Sequence, residues 1–434
     1  MRRNRKDRPV DRRRLSRSAT RDLIRQSRDN ALGYLLSTAK LKPRSDPFYQ
    51  SMQGSIAAFY DGLANDVAFD GAQGRRLAAL CEAISARAGL ADPVAPALPS
   101  APSGSYDVLV IGGTGFIGRP LVAALLARGK RVAVLARNTA NLPPLFHDPR
   151  VGVVRGDVTV REDLERAMQG VKAVVNLAHA GGADSWDEVR LRIVGGARLV
   201  AEVALAAGVE RLVHASTIAA LYLGDPGATI AGDTPPDPNS ERRASYSRAK
   251  AEAERELMRM HAAQGLPVII LRPGVVVGEG GLAFHSGVGF YNREQHCLGW
   301  NAGANPLPLV LAEDTASAIA LALEAPAALG RSYNVIGDVR LNARDYTDEL
   351  GRALGRPLQF HPQSIARQQG IELVKWVVKR AIGRAEPAPS IADLKSRGLQ
   401  ARFDTSDIKR DLGWTPVADR AEFVRKAFAV HAEP

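Results

Sequence analysis

A doubly wound, parallel α/β sheet is predicted for most of this chain, with a smaller C-terminal lobe and a helical N-terminal appendage. Three observations predict it. From residue 106 onward, short apolar runs alternate with longer amphipathic stretches, which is the pattern of strands and covering helices. The runs are apolar at consecutive positions rather than every second one, so both faces of the sheet are covered. The first run leads through a glycine-rich turn straight into a helix.

The elements follow in order. "YDVLVIGG" (106–113) reads as the first strand, and "FIGRPLVAALLARG" (116–129) as a helix ended by glycine. "RVAVLAR" (131–137), "VGVVRGDV" (151–158) and "VKAVVNLAHA" (171–180) supply the next three strands. A long helix running to Gly208 precedes a fifth, "RLVHAST" (211–217). Beyond Pro273 the alternation loosens. "LPLVLAEDTASAIALALEAP" (307–326) reads as a strand feeding a helix, "SYNVIGD" (332–338) as a strand, and residues 404–430 as short helical pieces. Residues 106–272 are therefore expected to form the cofactor part and 273–434 mainly the substrate lobe. "ADPVAPALPSAPSGS" (91–105) reads as a semi-rigid linker. It separates them from a helical appendage at 31–90.

Composition narrows the class. The chain has 434 residues, 45% of them apolar and 24% charged, the profile of a globular protein. Two cysteines, Cys81 and Cys297, build no disulfide framework, which points to a reducing, cytoplasmic setting. No run reaches the ~18–20 apolar residues of a membrane span. The net charge is +12, and residues 1–30 hold twelve Arg/Lys against four Asp, so +8 of it lies in a basic, flexible tail. No aromatics are interleaved with these arginines, which disfavours nucleic acid as the partner.

"IGGTGFIG" spaces Gly112, Gly115 and Gly118 between a strand and a helix. Missing side chains there permit a tight turn and close approach of the backbone to a pyrophosphate, and the helix start offers it free N–H groups. Gly112, Gly115, Phe116, Ile117 and Gly118 are therefore candidate cofactor residues of a Rossmann-type site. Arg137 stands at the end of the second strand, where an acid would favour NAD(H). A guanidinium there suits a 2′-phosphate and favours NADP(H) over NAD(H).

In this order "GGTGFIG", "GDV", "NLA", "HASTIAALY", "YSRAK", "LRPGVVVG" and "DIKRDLGWTP" resemble the extended short-chain dehydrogenase/reductase family, also called the NAD-dependent epimerase/dehydratase family, over residues 106–428. Tyr246 and Lys250 are four apart and share a helix face. The resemblance implies that Tyr246 transfers the proton at a carbonyl or alcohol carbon. Lys250 is expected to favour the phenolate by its charge and, by resemblance, to bond the nicotinamide ribose. The family's third member is a Ser or Thr whose hydroxyl binds the substrate oxygen, here Thr217 with Ser216 as its rival. The resemblance further implies cofactor contacts at Asp157, Val158, Ala178 and Pro273, and a homodimer through helices. His179 reads as a packed or hydrogen-bonded histidine rather than a catalytic one, and Arg272 as structural as readily as ligand-binding.

The family's dehydratases follow the catalytic Thr with Asp and Glu, whereas Ile218 and Ala219 stand here, which disfavours sugar dehydration. The expected substrate is a small molecule carrying a secondary alcohol or ketone, taken as sugar-like, nucleotide- or lipid-linked. The absence of the family's usual arginine from "GANPLPLVLAEDTA" (303–316) leaves a nucleotide sugar open. The alternatives are an NADPH-dependent ketone reductase of hydroxysteroid or dihydroflavonol type and a non-catalytic NADP-binding regulator. "IELVKWVVKRAIGR" (371–384), wound as a helix, gathers Leu373, Val374, Val377, Val378 and Ala381 on one face and basic residues on the other. Such a helix caps a core or lies peripherally on a membrane surface. Residues 48–84 resemble the C-terminal end of the glucose–fructose oxidoreductase/inositol dehydrogenase family, on "DG…GRRL…CEAI".

Overall fold

The computed structural model describes residues 51–57, 60, 71–88, 106–178, 185–292, 295–381, 383 and 388–431. The basic tail, the linker at 91–105 and His179 lie outside them. The chain divides into two compact units, Met1–Val94 with Gly370–Pro389, and Ala95–Gln369 with Ser390–Pro434.

The larger unit is built on a seven-stranded sheet. Its strands are β1 (Val108–Ile111), β2 (Val132–Ala136), β3 (Val151–Arg155), β4 (Ala173–Asn176), β5 (Arg211–Ala215), β7 (Val268–Pro273) and β12 (Ser332–Val335). They lie in the order β12-β7-β5-β4-β1-β2-β3, every pair parallel. The chain winds outward from β1 in both directions. The point where it reverses, between β1 and β4, opens the crevice that in such sheets receives ligands.

Alternation along β1 feeds two cores. Val108 and Val110 pack with α2 (Gly118–Ala127) and α7 (Ala312–Ala322) on one face. Leu109 and Ile111 pack with α3 (Arg161–Met168), α5 (Gly196–Ala206) and α6 (Ser245–Gln264) on the other. This double coverage is why the strands read as continuous apolar runs. The helix read as continuous to Gly208 is interrupted. It begins as α4 (Trp186–Arg190), passes through a π-helical turn at Leu191–Gly195, and resumes as α5.

The lobe carries three small sheets. These pair β6 (Thr229–Ile230) with β14 (Arg402–Phe403), β8 (Val275–Val277) with β11 (Leu309–Leu311), and β9 (Gly289–Asn292) with β10 (His296–Trp300) and β13 (Gln359–Gln363). With α8 (Ala343–Ala353) and α12 (Arg420–Phe428) they close around a separate core containing Leu309, Tyr346, Phe423 and Phe428. Not every element after Pro273 stays in that lobe. Strand β12 forms the edge of the main sheet, and α11 (Ser406–Leu412) packs with it.

In the smaller unit, α1 (Gly71–Arg87) presents Leu77, Leu80 and Ile84 to solvent. Helix α9 (Ile365–Ala381) passes from one unit into the other and has no buried residue.

Trp414 joins the C-terminal tail to the sheet's core. It is fully buried there, and its indole N–H donates to the Asp314 carbonyl at 2.9 Å. Trp414→Ala is expected to cost about 3–5 kcal/mol in urea unfolding, the usual penalty for emptying an aromatic site. A loss below about 1 kcal/mol would mean that the tail does not share this core.

Candidate active site

The glycine turn shows why it needs its glycines. Gly112 has φ +82°, and a Cβ there would press on the Leu177 backbone at 3.2 Å. A Cβ at Gly118 would lie 2.6 Å from the Gly113 Cα, so the helix start can pack on the turn only without one. No side chain caps the start of α2; in its first turn Arg119 N–H donates to the Gly115 carbonyl at 3.0 Å and Pro120 carries no N–H, so the N–H of Gly118 is the one placed toward the crevice.

From this turn a cavity of about 770 Å³ runs to Tyr246 and Lys250 on α6. It is lined by Gly112, Gly115, Phe116, Ile117, Gly118, Ala178, Thr217, Tyr246, Lys250 and Pro273 among others. A second space of about 430 Å³ lies at the ends of β2 and β3, bordered by Arg137, Arg155, Asp157 and Asp163. Asp157 is held there by its own loop. Its N–H donates to Asp163, and its carboxylate accepts from Thr159 N–H at 2.9 Å. Val158 borders neither space and packs at the rim of the second core. Arg155, which no motif in the chain singles out, lines this space with Arg137 as a second guanidinium.

Helix α6 is pinned where it begins. The Asp393 carboxylate of α10 (Ile391–Arg397) accepts from Ala244 N–H at 2.9 Å. Arg243, with a nearly inaccessible side chain, bridges Asp237 and Asp393 at 2.8 and 3.2 Å. Tyr246 therefore leaves the first turn in a fixed direction. Its hydroxyl hydrogen-bonds to the Thr217 side chain. Thr217 itself caps the short 3₁₀ turn Ile218–Ala220, accepting from Ala219 N–H at 3.2 Å.

Ser216 is committed elsewhere. Its hydroxyl donates to Glu254, which is fully buried and ion-paired with Arg272 at 2.7 Å. Arg272 also donates to the Gly232 and Thr234 carbonyls at 3.0 and 2.9 Å. Both residues are thus structural, and Thr217 is the hydroxyl of the pair that faces the phenol. Glu254 escaped the sequence reading, although its spacing of four from Lys250 places it on the same helix face.

The acid–base balance differs from the expectation that Lys250 lowers the phenol. Burial pushes the Tyr246 hydroxyl above its ordinary value, and the Thr217 hydrogen bond pulls against it. Lys250 donates to the Ala215 carbonyl at 3.1 Å. Burial lowers its amine to about 8, with Glu254 partly offsetting that. Burial, helped by the Lys250 charge, also drives His214 to about 3, so this imidazole is neutral, 3.5 Å from the Asn176 amide.

These residues fit a bound dinucleotide. The turn excludes side chains where a pyrophosphate would lie, and one continuous cavity joins it to the phenol. No group of three or more His, Cys, Asp or Glu among the described residues could hold a metal.

Comparison with known proteins agrees with this geometry. The sequence profile of the NAD dependent epimerase/dehydratase family matches residues 108–335. The 2-alkyl-3-oxoalkanoate reductase of Stenotrophomonas maltophilia is 30% identical over 75% of this chain and 99% of its own length. Sterol demethylase protein B of Methylococcus capsulatus is 28% identical over 73% and 95%. Among solved structures, the dTDP-glucose 4,6-dehydratase DesIV of Streptomyces venezuelae, crystallised with NAD, superposes with a TM-score of 0.55. It shares 26% identity over 74% of this chain and 95% of that one.

The lowered amine makes a stability prediction. Lys250 has a folded pKa of about 8 against an ordinary 10.5, so between these values the unfolded chain binds the extra proton and stability rises with pH. Lys250→Met removes the titrating group. Relative to that variant, the wild type is expected to gain on the order of 3 kcal/mol from pH 8 to 10.5 in chemical unfolding. An equal pH dependence in both proteins would contradict the burial of the amine.

Proposed function

Because this chain belongs to the NAD-dependent epimerase/dehydratase family, we propose that it interconverts a ketone and a secondary alcohol on a largely apolar small molecule, with NADP(H) preferred. The observation that carries the apolar reading is the state of the two arginines lining the cavity. Arg243 is spent on Asp237 and Asp393, and Arg397 on Asp393 at 2.8 Å. Neither is available as an uncompensated cation for a sugar-linked diphosphate. The cavity lining includes Ile218, Leu223, Val275, Leu282 and Leu399, with Ser247, His285, Ser286 and Ser396 as its neutral polar members. The likeness to an alkyl-oxoalkanoate reductase over nearly its whole length supports the same substrate class. A sugar-linked substrate is the less supported reading.

The nicotinamide supplies the hydride in the reducing direction. This chain's residues do the rest. Thr217 and Tyr246 would hold the carbonyl oxygen between their hydroxyls. As the carbon gains the hydride, the C=O pair moves onto oxygen, which takes the Tyr246 proton. A phenol that burial raises above its ordinary value carries its proton at neutral pH, the state that the acid role needs. Oxidation runs the steps in reverse and needs the phenolate, so its rate rises with pH. Lys250 holds the strand end through Ala215 and would reach the cofactor's ribose. Arg137 and Arg155, side by side at the 430 Å³ space, are suited to a 2′-phosphate.

The test is NADPH consumption with a panel of medium-chain 3-oxo esters. Tyr246→Phe is expected to lower kcat by about 10²–10⁴-fold with NADPH affinity retained. Thr217→Ala is expected to lose roughly tenfold or more in kcat. Ser216→Ala keeps kcat while losing about 1–3 kcal/mol of stability, since it leaves Glu254 short of a donor. Arg137→Ala should weaken NADPH and spare NADH. Turnover unchanged in Tyr246→Phe would end this reading.

A further inference from the structure

Two features that the site does not use coincide in the smaller unit, Met1–Val94 with Gly370–Pro389. The first is apolar exposure. Leu77, Leu80 and Ile84 of α1 are each more than half exposed, as are Val374 and Val377 of α9, at 65% and 56%. Helix α9 has no buried side chain at all, so it does not cap a core. The second is charge. On the described residues of this unit Arg75, Arg76, Arg87, Lys375, Lys379 and Arg380 stand against Glu82 and Glu372, a net +4 on the same two helices that expose the aliphatic residues.

We infer that this unit docks peripherally on an anionic lipid bilayer, its aliphatic side chains entering the interface and its cations meeting the headgroups. Aliphatic surface with flanking Lys and Arg is the composition that binds such an interface, by apolar burial together with electrostatic attraction. The occupants that share one of these features fail on the other. A second copy of the chain would cover the apolar residues but set the +4 of these two helices against another +4. Nucleic acid would answer the charge and leave Leu80, Val374 and Val377 in water, with no aromatic residues among the tail arginines for bases to stack on. A lipid surface satisfies both at once. No helix among the described residues is long and apolar enough to cross a membrane, so the attachment is to one face.

The inference does not depend on the substrate proposed above and is tested without it. The full-length protein is floated through a sucrose gradient with vesicles of phosphatidylcholine alone or doped with phosphatidylglycerol. Flotation is expected with the anionic vesicles only, to weaken with added salt, and to fall roughly tenfold in Val374→Glu/Val377→Glu. The far-UV CD and the NADPH affinity of that variant should match the wild type, which shows that loss of flotation is not loss of folding. Flotation that persists in the double variant would overturn the docking role of α9 and leave only nonspecific attraction by the arginine tail. No flotation of the wild type, a dimer that the double variant dissolves, or equal affinity of wild type and variant for duplex DNA at the same ionic strength would each overturn the lipid assignment.

Discussion

The Arg272–Glu254 pair is the constraint on which the site depends. Two full charges taken out of water are tolerable only if each is closely paired and hydrogen-bonded. Here the pair is completed by Ser216 and by the Gly232 and Thr234 carbonyls. It joins the end of β7, the middle of α6, the loop after β6 and the end of β5. By consuming Ser216 it leaves Thr217 as the hydroxyl that meets Tyr246. By placing a carboxylate one turn below Lys250 it keeps part of the charge on an amine that burial would otherwise neutralise further. The stretch of α6 that carries Tyr246 and Lys250 is thereby held at both ends, at Ala244 by Asp393 and at Glu254 by Arg272.

The cofactor end obeys a different constraint, which is steric rather than electrostatic. The backbone at Gly112 and Gly118 comes so near to Leu177 and Gly113 that a methyl group would separate the first strand from its helix. Because β1 and β4 adjoin at the reversal of the sheet, this turn and the Ala178 loop flank one crevice. Thr217 and Tyr246 reach it from the loop after β5 and from the first turn of α6, further along the same edge.

These two kinds of constraint differ in how well they could be read from sequence. Backbone proximity leaves a mark in residue type, so the three glycines and their strand–helix setting were legible, as were the parallel strands through their continuous apolar runs. Spacing along a helix placed Tyr246 and Lys250 on one face. The Ser216–Glu254 bond was not legible, because it joins a strand end to a residue that, in sequence, resembles any other acid on a charged helix. The direction of the phenol's shift was misjudged for a related reason. Sequence shows which charge is near Tyr246 but not how much water is excluded from it, and burial is the larger effect. The return of β12 to the main sheet links Ser332–Val335 to Ile270–Pro273 across nearly sixty residues. No local pattern records such a pairing.

The central claim is that burial raises the Tyr246 phenol and that the Thr217 hydroxyl pulls it partly back. Carbon-13 NMR of ring-labelled tyrosine, with Tyr246 assigned by its Phe variant, measures this directly as a pH titration of its Cζ resonance. The account predicts a midpoint above 10 in the free protein, moving higher in Thr217→Val and staying in place in Ser216→Ala. A midpoint at or below 10, or one that moves with Ser216 and not with Thr217, would contradict it.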